Sequence, residues 1–307
     1  MIDFGGQAVV VTGAGRGLGR LYALDLARRG ASVVVNDIGG SMQGAGADPS
    51  VADAVVGEIR AAGGTAVASH DTVDTPEGAA AIIDAATGSF GRLDAVISNA
   101  GIFEMLPFEE LSAERWRRML SVHLDGTFFL SQPAYRVMKE QGHGRLVFVA
   151  SNVGAFGQER ATHYAAAKGG IIGLTHALAN EGASHGIRVN AVLPMGQSRM
   201  MNTSLGQREP NPVVDQLFAA CTPDRVVPLV TYLASRECEV SHQLISAVAG
   251  RYARVFLGLA DGWMGETEPT AEDVAEHLSD ILATDPHTVP AAVADEVVTM
   301  LGRLGML

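Results

Sequence analysis

Cysteine is scarce in this sequence: Cys221 and Cys238 are the only two among 307 residues. Two cysteines make no disulfide framework, and no metal-ligand spacing joins them. A reducing, cytoplasmic setting fits that usage. Basic residues are also short, with 22 Lys and Arg against 34 Asp and Glu and a formal net charge of −12. No basic run is present, which argues against nucleic acid as a partner; the acidity serves solubility. No apolar run reaches the roughly 18 residues that suggest a membrane span, so no membrane partner is expected. The opening MIDFGGQAVVVTG lacks the plan of a signal peptide, and the closing RLGML carries no retention or peroxisomal tripeptide.

What is there is an α/β rhythm. Apolar residues make up 47% of the chain, enough for a large core. Strands are expected at 8–11, 32–35, 66–68, 93–97, 146–149, 188–192 and 243–246, in short, mostly β-branched runs. Near-continuous apolar character marks strands buried on both faces. Helical patterns fall between them, at 17–29, 50–62, 76–90, 112–140, 162–184 and 223–235. That alternation predicts a doubly wound parallel sheet with helices on both faces and right-handed crossovers. The rhythm stops near residue 250. The expected organisation is one domain over 1–250 and a helical extension over 251–307. In the extension Thr270 is placed to cap a helix, and Pro286 and Pro290 separate two candidate helices.

The first strand runs into VVVTGAGRGLGR, with Gly13, Gly17 and Gly19 opening a helix around Arg16 and Leu18. A helix N-terminus presents unpaired N–H groups and a positive dipole end to a phosphate, and glycine lets a pyrophosphate approach the backbone. The spacing is G-x-x-x-G-x-G; the commoner G-x-G-x-x-G fails at Leu18. Asp37 lies twenty residues after Gly17, where a second strand ends. A carboxylate there accepts bonds from the adenine-ribose hydroxyls and repels a 2′-phosphate, which favours NAD over NADP. Arg16 argues the other way, and Asp37 is given the greater weight. After the third strand, Asp71 and Thr72 are candidates for the adenine end; the alternative for Asp71 is a helix cap. Asn99-Ala100-Gly101 follows the fourth strand, small enough for a cofactor ribose to lie on the backbone. Asn99 alternatively ties neighbouring strands together.

Ser151, Tyr164 and Lys168 fall within ASNVGAFGQERATHYAAAKGG. Tyr164 and Lys168 are four apart on a helix and share a face. Ser151 ends a strand at the carboxyl edge of the sheet, where ligands of such folds bind. Hydride transfer from an alcohol also moves the hydroxyl proton. A free tyrosine, with a pKa of about 10, is too weak a base at neutral pH; a neighbouring ammonium and a positive nicotinamide ring would lower it. Ser151 would steady the substrate oxygen.

TGAGRGLG, SNAG, and Ser151 thirteen residues before the Tyr of YAAAK resemble the short-chain dehydrogenase/reductase family over roughly 5–250. The resemblance implies a single Rossmann-type, seven-stranded doubly wound sheet, a dinucleotide cofactor, and a homodimer or homotetramer. NDIGGSMQGAG, SVHLDGTF, THYAAAKGGIIGLTHALANEG and SRM resemble the (3R)-hydroxyacyl-CoA dehydrogenase unit of the type 2 peroxisomal multifunctional enzymes, including 17β-hydroxysteroid dehydrogenase type 4, and stand-alone bacterial relatives. This narrower resemblance implies an acyl-CoA or steroid substrate. His123 stands where the wider family has an Asn that kinks a helix and orders a water. It holds the same kink or is simple packing. Pro194-Met195 replaces the family's Pro-Gly, and the Thr expected to bond the nicotinamide carboxamide is not in place; Ser198 is a substitute. The substrate segment is expected at about 195–222. Met195, Met200 and Met201 are candidate pocket residues, with Arg199 and Arg208 near a CoA tail. A free-steroid dehydrogenase, an NADPH-dependent 3-oxoacyl reductase and a non-catalytic NAD sensor are the alternatives.

Overall fold

Valine-rich runs form the strands, and their burial explains why. All five residues of β1 (Ala8–Thr12) are buried; each buried valine contributes about 1.5–3 kcal/mol relative to exposure. The computed structural model describes residues 2–196, 211–265, 268–304 and 306. From β1 the chain enters α1 (Gly17–Arg28), β2 (Ser32–Asn36), α2 (Ser50–Ala61), β3 (Thr65–Ser69), α3 (Pro76–Phe90) and β4 (Ala95–Ser98). Then come α4 (Ala113–Leu120), a π-helical turn (Ser121–Asp125), α5 (Gly126–Gln141), β5 (Gly144–Val149), α6 (Asn152–Phe156), α7 (Thr162–Gly182) and β6 (Ile187–Met195). The main unit closes with α8 (Pro212–Ala220), α9 (Val227–Ala234), β7 (Gln243–Val248) and β8 (Arg251–Val255).

The sheet order is β3-β2-β1-β4-β5-β6-β7-β8. The pairings from β3 through β7 are parallel, with Ala8 opposite Ser32 and Val9 opposite Ala95. The chain runs outward one way from β1 and the other way from β4. A crevice therefore opens at the carboxyl ends between them, where ligands of such sheets bind.

Three expectations are corrected. Among the described residues the sheet has eight strands, not seven. Ala249 and Gly250 both take left-handed backbone (φ 51° and 88°), which suits a two-residue hairpin and turns β8 back along β7. Second, the expected helix 112–140 is two helices joined by the π turn. Third, the extension is not purely helical. It contains β9 (Leu259–Ala260) and β10 (His287–Thr288), paired antiparallel, with α10 (Ala271–Glu276), α11 (Leu278–Ile281) and α12 (Val293–Arg303). Thr270 caps α10 in a reciprocal box with Asp273.

The chain divides into two compact units, residues 1–254 and 255–307. The principal core belongs to the first and packs α1, α2 and α9 onto the sheet through Tyr22, Leu26, Val55, Ile59, Val230 and Leu233. The second unit has no buried residue among its described ones.

Candidate active site

A cavity of about 860 Å³ opens at the carboxyl edge of the sheet. Gly13, Arg16, Gly17, Leu18 and Gly19 line one part of it, and Asp37, Asp71, Thr72, Asn99, Ala100 and Gly101 extend that lining. Ser151, Tyr164, Lys168, His123, Pro194 and Met195 line it too. The structure thus gathers every described residue that the sequence marked for chemistry. Ser198, with Arg199, Met200, Met201 and Arg208, lies outside the described residues.

The glycine loop is shaped by close approaches. A Cβ on Gly19 would stand 2.2 Å from the Gly13 carbonyl oxygen, and one on Gly13, at φ 63°, would stand 2.8 Å from the Ala100 backbone. Arg16 opens α1 without a side-chain cap, and the first turn holds no acidic residue. Its amide groups are left for an anion, as a pyrophosphate cradle requires. The Arg16 side chain donates to the Gly40 carbonyl (3.3 Å).

Asp37 is held in place by backbone. Gly15 N–H donates to Oδ2 (2.9 Å) and Gly39 N–H to Oδ1 (2.7 Å). Gly15, which sequence reasoning passed over, is one of the two backbone groups that seat Asp37. Its Cβ would fall 2.9 Å from Asp37 Oδ2 and 2.3 Å from a Val51 methyl. The loop after β2 is also fastened: Phe103 N–H donates to the Met42 carbonyl (3.0 Å), and Arg118 pairs with Asp74 while donating to the Gly44 carbonyl (3.0 Å).

Two open alternatives receive an answer. Asp71 caps no helix; Thr75 caps α3 by accepting from Gly78 N–H (3.1 Å), while the Asp71 carboxylate accepts from the Ser69 hydroxyl (3.1 Å). Asn99 ties strands: its amide donates to the Thr12 and Gly13 carbonyls (2.9 and 3.2 Å). Thr12 Oγ1 in turn accepts from the Asn99 and Ala100 N–H groups (3.0 and 3.1 Å). The small Gly101 makes room for a side chain as well, since its Cβ would stand 2.3 Å from His123 Cε1.

His123 sits inside the π turn, where one extra residue per turn re-aims side chains. Its Nε2 lies 2.8 Å from the Ile102 carbonyl and 3.2 Å from the Ile102 N–H. Its Nδ1 is buried without a hydrogen-bond partner. Burial, reinforced by Lys168, holds its pKa well below the ordinary histidine value, so the ring is neutral. The ring also packs edge-on against Tyr164, with centroids 5.2 Å apart, and Phe103 does the same at 5.1 Å.

Tyr164 and Lys168 rise from α7. Lys168 is 3% exposed, and its Nζ donates to the Val149 carbonyl (2.5 Å) and lies 5.7 Å from the Tyr164 ring centre. Burial pushes the Tyr164 hydroxyl up to about 12, with the Ser151 hydroxyl pulling the other way. Burial also pulls the Lys168 ammonium down to about 7. Lys168 by itself therefore does not make the tyrosine a neutral-pH base, and the second positive charge that the sequence reading set beside it, on a nicotinamide ring, is needed as well. Ser151 caps the short α6 by accepting from Val153 N–H (3.1 Å), which leaves its own proton free to donate. Gly154 lets α6 pack on α7, since a Cβ there would lie 2.6 Å from the Lys168 backbone.

The fold and the cavity define a dinucleotide-binding oxidoreductase of the α/β class. Residues 7–210 match the short chain dehydrogenase family, and the chain belongs to that family. The cradle of glycines and uncapped amides fits the NAD or NADP that such dehydrogenases use. The chain is 43% identical over 275 residues to a short-chain type dehydrogenase/reductase of Mycobacterium tuberculosis, covering 90% of this chain and 93% of that one. It is 42% identical over 249 residues to peroxisomal multifunctional enzyme type 2 of Mus musculus, covering 81% of this chain and 32% of that one. The structure of the full-length type 2 enzyme from Drosophila melanogaster matches with a TM-score of 0.82 at 32% identity, covering 100% of this chain and 51% of that one. The chain thus spans about a third of the one multifunctional relative and about half of the other. Among the described residues no helix is long and apolar enough to cross a membrane.

Proposed function

We propose that this chain oxidises a (3R)-hydroxyacyl-CoA to the 3-oxoacyl-CoA, using NAD as hydride acceptor. The observation that carries the reading is one cavity lined at once by the glycine cradle, by Asp37 and by Ser151, Tyr164 and Lys168. The likeness to the type 2 multifunctional enzymes supports the acyl substrate.

Gly13, Gly17 and Gly19 would hold the pyrophosphate on the amides of α1, and Asp37 would accept the adenine-ribose hydroxyls. A carboxylate at that place opposes a 2′-phosphate. Arg16, its guanidinium turned to the Gly40 carbonyl, is already engaged. When bound, the oxidised nicotinamide accepts the hydride and adds the positive charge that burial leaves wanting. Ser151 Oγ donates to the substrate oxygen. Tyr164 Oη takes the hydroxyl proton, and Lys168 favours its anionic form. In the balance a secondary alcohol and NAD become a ketone, NADH and a proton.

Initial rates with (3R)- and (3S)-hydroxyacyl-CoA, each with NAD and NADP, test this beside a free hydroxysteroid. The expected result is turnover of the 3R ester with NAD and a loss of about 10²–10⁴-fold in Tyr164→Phe. Turnover of the sterol alone would move the substrate. A preference for NADP would overturn the role given to Asp37.

A further inference from the structure

Four permanent or buried cations among the described residues line the cavity: Arg16, Arg118, Arg160 and Lys168. Three are engaged, Arg16 with the Gly40 carbonyl, Arg118 with Asp74 and the Gly44 carbonyl, and Lys168 with the Val149 carbonyl. Among the described residues the Arg160 guanidinium has neither a hydrogen-bond nor an ion-pair partner. It is exposed while Tyr164 and Lys168 are buried, so it stands at the solvent end of the cavity they share.

Its backbone is unusual. Arg160 takes φ 63°, a left-handed conformation that costs a residue with a Cβ about 1 kcal/mol or more. Glycine or asparagine would sit there with less strain. The conformation is pinned, because the Arg160 carbonyl accepts from Leu106 N–H (2.9 Å) and Ala161 N–H closes back on the Gln158 carbonyl (3.4 Å). The cavity lining also includes the apolar Phe103, Met105 and Val153 and the polar Gln158, whose amide donates to Met105 Sδ (3.9 Å). Glu159 also lines the cavity and makes no ion pair among the described residues. The local field is therefore one cationic fork beside one carboxylate, which offers a hold for one anionic group of a substrate at a time.

We propose that Arg160 anchors an anionic group that the substrate carries away from its reacting carbon. The shared chemistry is a set of anionic oxygens, from the phosphates of a thioester carrier or from a carboxylate of a free hydroxy acid. A guanidinium fork matches either group with two parallel bonds. The inference rests on the proposed alcohol dehydrogenase reading and names a determinant of its substrate.

The test compares kcat/KM, with NAD, for three forms of one acyl group: the 3-hydroxyacyl-CoA, its neutral N-acetylcysteamine thioester and the free 3-hydroxy acid. The variants are Arg160→Asn, which tolerates the left-handed backbone, and Arg160→Lys, which keeps the charge. The wild type is expected to prefer one anionic form over the neutral thioester. Arg160→Asn lowers that preference about three- to tenfold through KM, while Arg160→Lys keeps most of it, and added salt weakens it in the wild type. A fall confined to the CoA ester identifies phosphate; one confined to the free acid identifies carboxylate. A purely structural role would move all three substrates together. Equal preference in the wild type and in Arg160→Asn overturns the assignment while leaving the dehydrogenase reading intact. Failure of the wild type to turn over any of the three overturns both.

Discussion

Lys168 is 3% exposed and holds the Val149 carbonyl, and its pKa is drawn down to about 7 from an ordinary 10.5 by burial. Between those two values the unfolded chain keeps the proton that the folded chain has released. Stability therefore rises with pH across that window and is flat with respect to this group below about pH 7. Thermal unfolding from pH 7 to 10 should show that rise in the wild type. Lys168→Met should flatten it while abolishing turnover. Parallel pH profiles for the two proteins would rule out the burial argument. The positions that spacing marks are those set by local geometry. Tyr164 and Lys168 share a helix face because they are four apart, and Ser151 and Asp37 stand where runs of β-branched residues stop. Gly15 and Arg160 escaped because their meaning comes from contacts with Asp37, twenty-two residues on, and with Leu106, fifty-four residues back.

The π turn shows what periodicity leaves unread at the scale of an element. One extra residue between α4 and α5 shifts the phase of the apolar stripe without erasing it, so 112–140 reads as one helix. The shift is what seats His123 against the Ile102 backbone and the Tyr164 ring. Gly101 is the complementary half of that seat. Gly101→Ala would place a methyl 2.3 Å from His123 Cε1, and the ring must move. Overpacking of this kind costs about 1–3 kcal/mol. The expected outcome is a lower Tm and reduced kcat, because the displaced ring bears on Tyr164. Adding His123→Asn should recover part of the stability, as coupled neighbours do in a double-mutant cycle. Strictly additive losses would show that the two residues do not share a seat. The eighth strand was illegible for a different reason. Arg251, Tyr252 and Arg254 give β8 the charged and polar surface of an edge, where apolar runs are absent.

At the scale of the whole molecule, the parallel sheet and its crevice follow from the alternation of strands and helices, whereas the extension does not. Its 53 residues form a unit of short helices and two two-residue strands, with no buried residue among those described. A unit of that size without a core lacks the apolar burial that offsets chain entropy. The principal core is drawn entirely from residues up to Ala247, and the cavity lining ends at Phe218. A chain ending at residue 256, just past β8, should therefore unfold in one cooperative transition with a Tm within a few degrees of the full chain. It should also bind NAD with similar affinity, since the cradle from Gly13 to Asp37 and the catalytic cluster lie wholly within it. Calorimetry and fluorescence titration of the shortened chain decide the matter. An insoluble product, or a transition lowered by tens of degrees, would mean that the main unit does not reach its stability without the extension. In that case the extension belongs to the folding unit of the dehydrogenase.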